Sequence, residues 1–142
     1  MGKFLTDTEI ASLVEAIQMA ERFTTGEIRV HIDSNTECNN ANVAFEVFKT
    51  LCMHKTAERN GVLFHINFEK KYLTIIGDEG IHQKVHQEFW DHLHDTLTAE
   101  FAKGNYFNAL KDAILKTGKE LKQFFPTNDN PVNELSDEIT FS

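Results

Sequence analysis

Glu27, Asp78 and Glu79, together with Asn60, are of the residue types that hold a hard divalent cation. Calcium and magnesium take oxygen from carboxylates, amides and backbone carbonyls, and Gly77 and Gly80 beside Asp78 would let carbonyls approach closely. The same letters also have a plain structural use. Asp78 would cap a helix beginning near Gly80, Glu79 would sit favourably in its first turn, and Glu27 would be a solvated strand residue or a partner of Arg29 or Arg59. His82 and His86 stand one helical turn apart, a spacing that can hold zinc, with His92, His94 and Asp95 further along. Gln83 occupies the place where a zinc metalloprotease motif needs Glu. His31 and His65 fall on strands and read as satisfied structural histidines. Nucleophilic catalysis has no visible carrier: no Asp-x-Asp, Gly-x-Ser-x-Gly, Arg-His-Gly or phosphate-loop motif occurs. Cys52 and Arg59 are separated by six residues, one too many for a cysteine phosphatase loop.

The elements that must position these groups follow from periodicity. Val62 to Phe68 and Tyr72 to Ile76 are β-rich runs joined by Glu69-Lys70-Lys71, which predicts a hairpin placing Arg59, Asn60 and Gly61 beside Asp78, Glu79 and Gly80. Glu27 to Asp33 alternates polar with apolar residues, as a half-buried strand does. Thr6-Asp7-Thr8-Glu9 fits a capping box before a helix from about Asp7 to Arg22. Ser34 to Asn42 reads as a loop. Val43, Ala44, Val47, Phe48, Leu51 and Cys52 then mark the buried stripe of a second helix. Strand, helix and strand in that order predict a parallel pair, bringing Glu27 to the same sheet edge as Asn60 and Asp78. After Gly80, Ile81, Val85, Phe89, Trp90, Leu93 and Leu97 predict one long helix. Phe107 to Phe124 predicts a last one, with Gly118 at a close packing point. The predicted fold is an α/β/α sandwich around a small mixed sheet with one βαβ unit and one hairpin. It spans residues 1–125, followed by a flexible acidic tail at 126–142.

Composition narrows the function classes. A net charge of −8 argues against nucleic acid and favours cationic partners. No run reaches the length of a membrane span, and the first residues lack the apolar core of a signal peptide. Cys38 and Cys52 form no Cys-x-x-Cys pair, so both are expected reduced, in a cytoplasmic monomer.

Three segments carry a family resemblance: Thr25-Gly26-Glu27-Ile28-Arg29-Val30, Arg59-Asn60-Gly61-Val62-Leu63 and Ile76-Gly77-Asp78-Glu79-Gly80-Ile81. Across roughly Leu5 to Phe125 the chain resembles the TPM-domain family of thylakoid acid phosphatase-like, photosystem repair and receptor-modulator proteins. The resemblance implies an α/β/α sandwich with its site at the sheet edge. It also implies divalent cation binding, calcium in particular, and acid phosphatase activity as in chloroplast members. The place of Arg59 is often acidic in the family; here Arg59 removes a ligand and offers a phosphate clamp. Many members carry a signal peptide and a membrane helix, so a free-standing soluble version is expected. The resulting expectation is a calcium or magnesium site at Glu27, Asn60, Asp78 and Glu79, with metal-assisted phosphomonoester hydrolysis and Arg59 on the phosphate. The alternative is a non-catalytic module that helps assemble or maintain membrane-protein complexes.

Overall fold

A computed structural model describes residues 5–34, 40–127 and 135–142 of the chain. The first helix, α1 (Asp7–Ala20), begins with the capping box: the Glu9 N–H donates to Thr6 Oγ1 and the Thr6 N–H to Glu9 Oε1. Strand β1 (Glu27–Asp33) leads to α2 (Asn40–Thr50) and a short 3₁₀ turn, Met53–Lys55. The hairpin β2 (Gly61–Asn67) and β3 (Tyr72–Gly77) comes next. Three helices follow, α3 (Glu79–Lys84), α4 (Gln87–Ala102) and α5 (Tyr106–Phe124), and then strand β4 (Thr140–Phe141).

The sheet runs β3-β2-β1-β4, with β1 parallel to both β2 and β4 and the hairpin antiparallel. Its two faces differ. Ile28, Val30 and Ile32 of β1 and Val62, Phe64 and Ile66 of β2 are buried among Leu13 and Ile17 of α1, Leu93 and Leu97 of α4, and Leu110, Ile114 and Leu121 of α5. This is the main core, and hydrophobic burial there is the chief stabilising term. On the opposite face Leu63 packs with Phe48 of α2 and Met53 in a smaller cluster. The same face of β1 carries Glu27, Arg29, His31 and Asp33, all buried.

Several expectations change. All seven residues of β1 are buried, because α2 and the chain end cover the face that alternation assigned to solvent. The helix expected as continuous after Gly80 breaks at Val85, an extended residue, and restarts with His86 as the N-cap of α4. The β-branched Val85 is 4% exposed, so core packing holds it outside helical geometry. In α2, Ala44 and Phe48 are buried as expected, but Cys52 lies beyond the helix, left-handed (φ 59°) and exposed, and Met53 fills the core instead. Of the expected acidic tail, residues 128–134 lie outside the described residues, and residues 135–142 include strand β4. β1 would otherwise present an open edge of backbone donors and acceptors, and Thr140–Phe141 pair with it while Ile139 is buried.

Gly118 does what close packing requires, since a Cβ there would lie 2.6 Å from Ala20 Cβ and 2.7 Å from Ala20 Cα. Helix propensity alone favours Ala over Gly by about 1 kcal/mol. Gly118→Ala should nevertheless lower stability by about 1–3 kcal/mol through the clash between α1 and α5. Urea unfolding measures this, and a stabilised variant would contradict the packing.

Candidate metal centre

The sheet edge forms as its three segments predicted. The Glu27 N–H donates to Asn60 O at 3.3 Å, the Asp78 N–H to Gly61 O at 3.0 Å and the Gly80 N–H to Arg59 O at 2.8 Å. Gly80 is required there, because a Cβ would sit 2.2 Å from Glu58 O. Arg59, left-handed at φ 52°, clamps Asp78 with Nε to Oδ2 at 2.7 Å and Nη2 to Oδ1 at 2.9 Å. Its Nη1 lies 3.4 Å from Glu79 Oε2, a largely exposed group. Asp78 Oδ1 also accepts the Glu79 N–H at 2.8 Å as the N-cap of α3. Both Asp78 oxygens are therefore held by the protein, and the Arg59 guanidinium faces two carboxylates rather than an open phosphate position. Asn60 is fully buried. Its Nδ2 donates to Thr25 Oγ1 at 3.1 Å, and the Thr25 hydroxyl donates to Glu58.

The second predicted pair separates. His82 lies in α3, whereas His86 caps α4 beyond the break at Val85, so the two no longer share one helical face. His94 turns Nε2 to Leu73 O at 2.9 Å and ties α4 to β3. Cys38 lies outside the described residues.

Among the described residues, one set of three has metal-ligand atoms all within 4.8 Å of one another: His31, Asp33 and His65. Parallel register produces it. Glu27 pairs with Gly61, so His31 pairs with His65 four residues on, and Asp33 follows two residues later on the same face. The imidazoles stack with centroids 5.6 Å apart and planes 12° from parallel. His65 Nε2 lies 3.0 Å from Asp33 Oδ2, and His31 Nε2 lies 4.0 Å from the same oxygen. His31 is further held by Thr140 Oγ1 on Nδ1 at 2.6 Å and Ser142 Oγ on Nε2 at 2.7 Å. The histidines were assigned structural roles from the sequence. Counting four residues along each strand from the paired edge is the sequence signal that could have joined them.

Burial foremost, and then the neighbouring His65, hold His31 below the usual imidazole range, while Asp33 pulls the other way. His31 is therefore neutral near pH 7, the form that ligates metals. Zinc sites use nitrogen and carboxylate donors about 2.0–2.2 Å from the ion, which puts tetrahedral ligands roughly 3.3 Å apart. The 3.0 and 4.0 Å separations bracket that value. Calcium needs more oxygen than this set offers. His31 and Asp33 of the triad line a groove of about 630 Å³ between α2 and β4, together with Glu46, Thr140 and Ser142.

A second buried group lies at the start of β1. Glu21, the C-cap of α1, accepts the Ile28 N–H at 2.8 Å through Oε2. Its pKa is pushed up to about 10 by burial first, with a side-chain hydrogen bond to Asp137 and the nearby Asp137 and Glu27 charges adding to the rise.

The fold and these sites define a small α/β/α domain with a buried polar stripe on one sheet face. The family model described as the TPM domain matches residues 1–120, and the chain belongs to that family. It is similar to the BA42 protein of the psychrophilic bacterium Bizionia argentinensis, whose NMR structure superposes with a TM-score of 0.92 at 37% identity over 100% of this chain and 98% of that one. The N-terminal domain of a P. gingivalis protein, PgR37A, also solved by NMR, shares the fold, with a TM-score of 0.70 at 14% identity over 84% of this chain and 78% of that one. Comparison with curated proteins finds no match. Among the described residues no helix is long and apolar enough to cross a membrane.

The raised Glu21 pKa has a pH signature. The folded chain keeps this proton between about pH 4.5 and 10, whereas the unfolded chain has released it. Stability from Glu21 is complete below 4.5 and is lost as pH rises through that window. His31 acts in the opposite sense, its contribution present above 6.5 and lost as pH falls below it. Glu21→Gln should therefore raise the melting temperature at pH 8–9 relative to the unmodified protein and leave it nearly unchanged at pH 4.5. Thermal unfolding across pH checks this; an equal shift at both pH values would contradict the assignment.

Proposed function

We propose that this TPM domain binds a divalent cation of the zinc class through His31, Asp33 and His65 and works as a metal-responsive binding module. The observation that carries the reading is the convergence of three buried donors, two nitrogens and one oxygen, of which His31 and Asp33 line a groove. Borderline metals prefer this mixture, whereas calcium and magnesium prefer oxygen alone. At His65 the atom that would meet the cation is Nε2, which lies 3.0 Å from Asp33 Oδ2. Glu46, on the groove wall, is a further carboxylate within the same space. Hydrolysis is less well supported, because Arg59, the expected phosphate clamp, already faces Asp78 and Glu79, and Cys52 is an exposed thiol outside any phosphate-binding loop.

A second reading rests on one atom. Asn60 Oδ1 is buried with no hydrogen-bond partner among the described residues. An oxygen-seeking cation, calcium or magnesium, at Asn60 with Glu27 would satisfy it, with Asp78 and Glu79 joining only if Arg59 swung away.

Titration of the metal-free protein, followed by amide and imidazole chemical shifts, separates the two. Zinc should move the His31 and His65 ring signals at about one equivalent and raise the melting temperature, with Asp33→Ala weakening zinc at least 10-fold. Zinc that leaves both rings unmoved overturns the triad. Calcium shifts confined to Glu27, Asn60 and residues 77–81 would establish the second reading instead.

A further inference from the structure

The chain end that closes the sheet also stands on the metal ligand. Thr140 and Ser142 flank Phe141, so both side chains fall on one face of β4, and together they engage both nitrogens of His31. Thr140 has a second acceptor within reach. Thr140 Oγ1 also reaches Val30 O at 3.5 Å, an acceptor for its hydroxyl in the arrangement in which His31 Nδ1–H donates to Thr140 at 2.6 Å. That tautomer leaves Nε2 with its lone pair, which accepts from the Ser142 hydroxyl at 2.7 Å. Nε2 is also the nitrogen that lies 4.0 Å from Asp33 Oδ2 and is the one able to complete the triad. A hydrogen-bond donor and a cation cannot use one lone pair together.

We propose that Ser142 is the gate of the metal site and Thr140 its positioning residue: the Ser142 hydroxyl holds the Nε2 lone pair until a cation takes it, while Thr140 keeps that lone pair aimed at Asp33. This rests on the triad being the metal site. Access fits the same picture. His65 is 0% exposed, Asp33 3% and His31 5%, and the groove that reaches His31 and Asp33 is also lined by Thr140, Phe141 and Ser142. β4 is two residues long, and Ser142 is tied by its N–H to Ile32 O at 3.0 Å and through its carbonyl to the Ser34 N–H at 3.0 Å and the Ser34 hydroxyl at 3.1 Å. Ser142 is itself exposed, so a change in its side chain leaves the core intact. Linkage is reciprocal, so a cation that displaces the hydroxyl must loosen the strand by the same free energy with which the strand weakens the cation.

The test compares zinc affinity by calorimetry, with ring shifts of His31 and His65 as the site readout, in the unmodified protein, Ser142→Ala, Thr140→Val and Thr140→Ser. Removing the competing hydrogen bond should tighten zinc roughly 2- to 10-fold in Ser142→Ala. Thr140→Val should weaken it roughly 10-fold or more through loss of the orienting acceptor, and Thr140→Ser should restore it. Hydrogen exchange at the Ser34 and Ser142 amides should quicken in the unmodified protein on zinc addition. Equal or weaker zinc binding in Ser142→Ala, with the ring shifts retained, overturns the gate and leaves the site standing. Zinc that moves neither ring in any of the proteins overturns the site and the gate with it.

Discussion

The parallel pairing of β1 with β2 is the constraint on which the other features depend. It is set where the Glu27 N–H meets Asn60 O, and from that point every residue of β1 lies beside the residue of β2 found 34 positions later in the chain. A parallel pair has even spacing and no freedom to slip without moving its apolar set off the core. With Ile28, Val30 and Ile32 fixed inward beside Val62, Phe64 and Ile66, the other face must hold Arg29 beside Leu63 and His31 beside His65. The candidate metal centre is thus a by-product of core register.

Such a placement has an electrostatic cost that the chain meets in two ways. Burying imidazoles and carboxylates without partners is expensive, and here His65 turns to Asp33 while His31 is met by Thr140 and Ser142. Where partnering does not suffice, proton occupancy changes: Glu21 keeps its proton and His31 gives its own up. Both adjustments leave neutral groups in the interior at neutral pH, and a neutral imidazole is also the one a metal can use.

The sheet edge around Asn60 and Asp78 is a different kind of structure. A Cβ on Gly80 would collide with the Glu58 and Arg59 carbonyls, Asp78 caps α3, and Arg59 clamps Asp78 from a left-handed backbone. These features knit the turn before β2 to the start of α3 and hold the strand ends that set the register. The family segments around Gly26, Asn60 and Asp78 are therefore well used as scaffold, and Asn60 Oδ1 is the atom there that the scaffold leaves unanswered.

Local pattern in the sequence determined most of the architecture. The capping box at Thr6, β1 to its boundaries, the hairpin around Glu69-Lys70-Lys71, the parallel crossover and the close approach at Gly118 were all legible, because each rests on spacing or on one residue's conformational limits. The break at Val85 was not legible, since its apolar period runs through unbroken and only packing decides that Val85 stays extended. The fate of the chain end escaped for a related reason: a two-residue strand carries no periodicity, and what recruits it is the open edge of β1. The convergence of segments at the sheet edge was read from topology, but the Arg59–Asp78 clamp, which changes what that edge can bind, depends on side-chain directions. His31, Asp33 and His65 were visible as letters on strands. Only the tertiary structure joined them, because a ligand set drawn from two strands exists only once the register across them has been fixed by the burial of the opposite face.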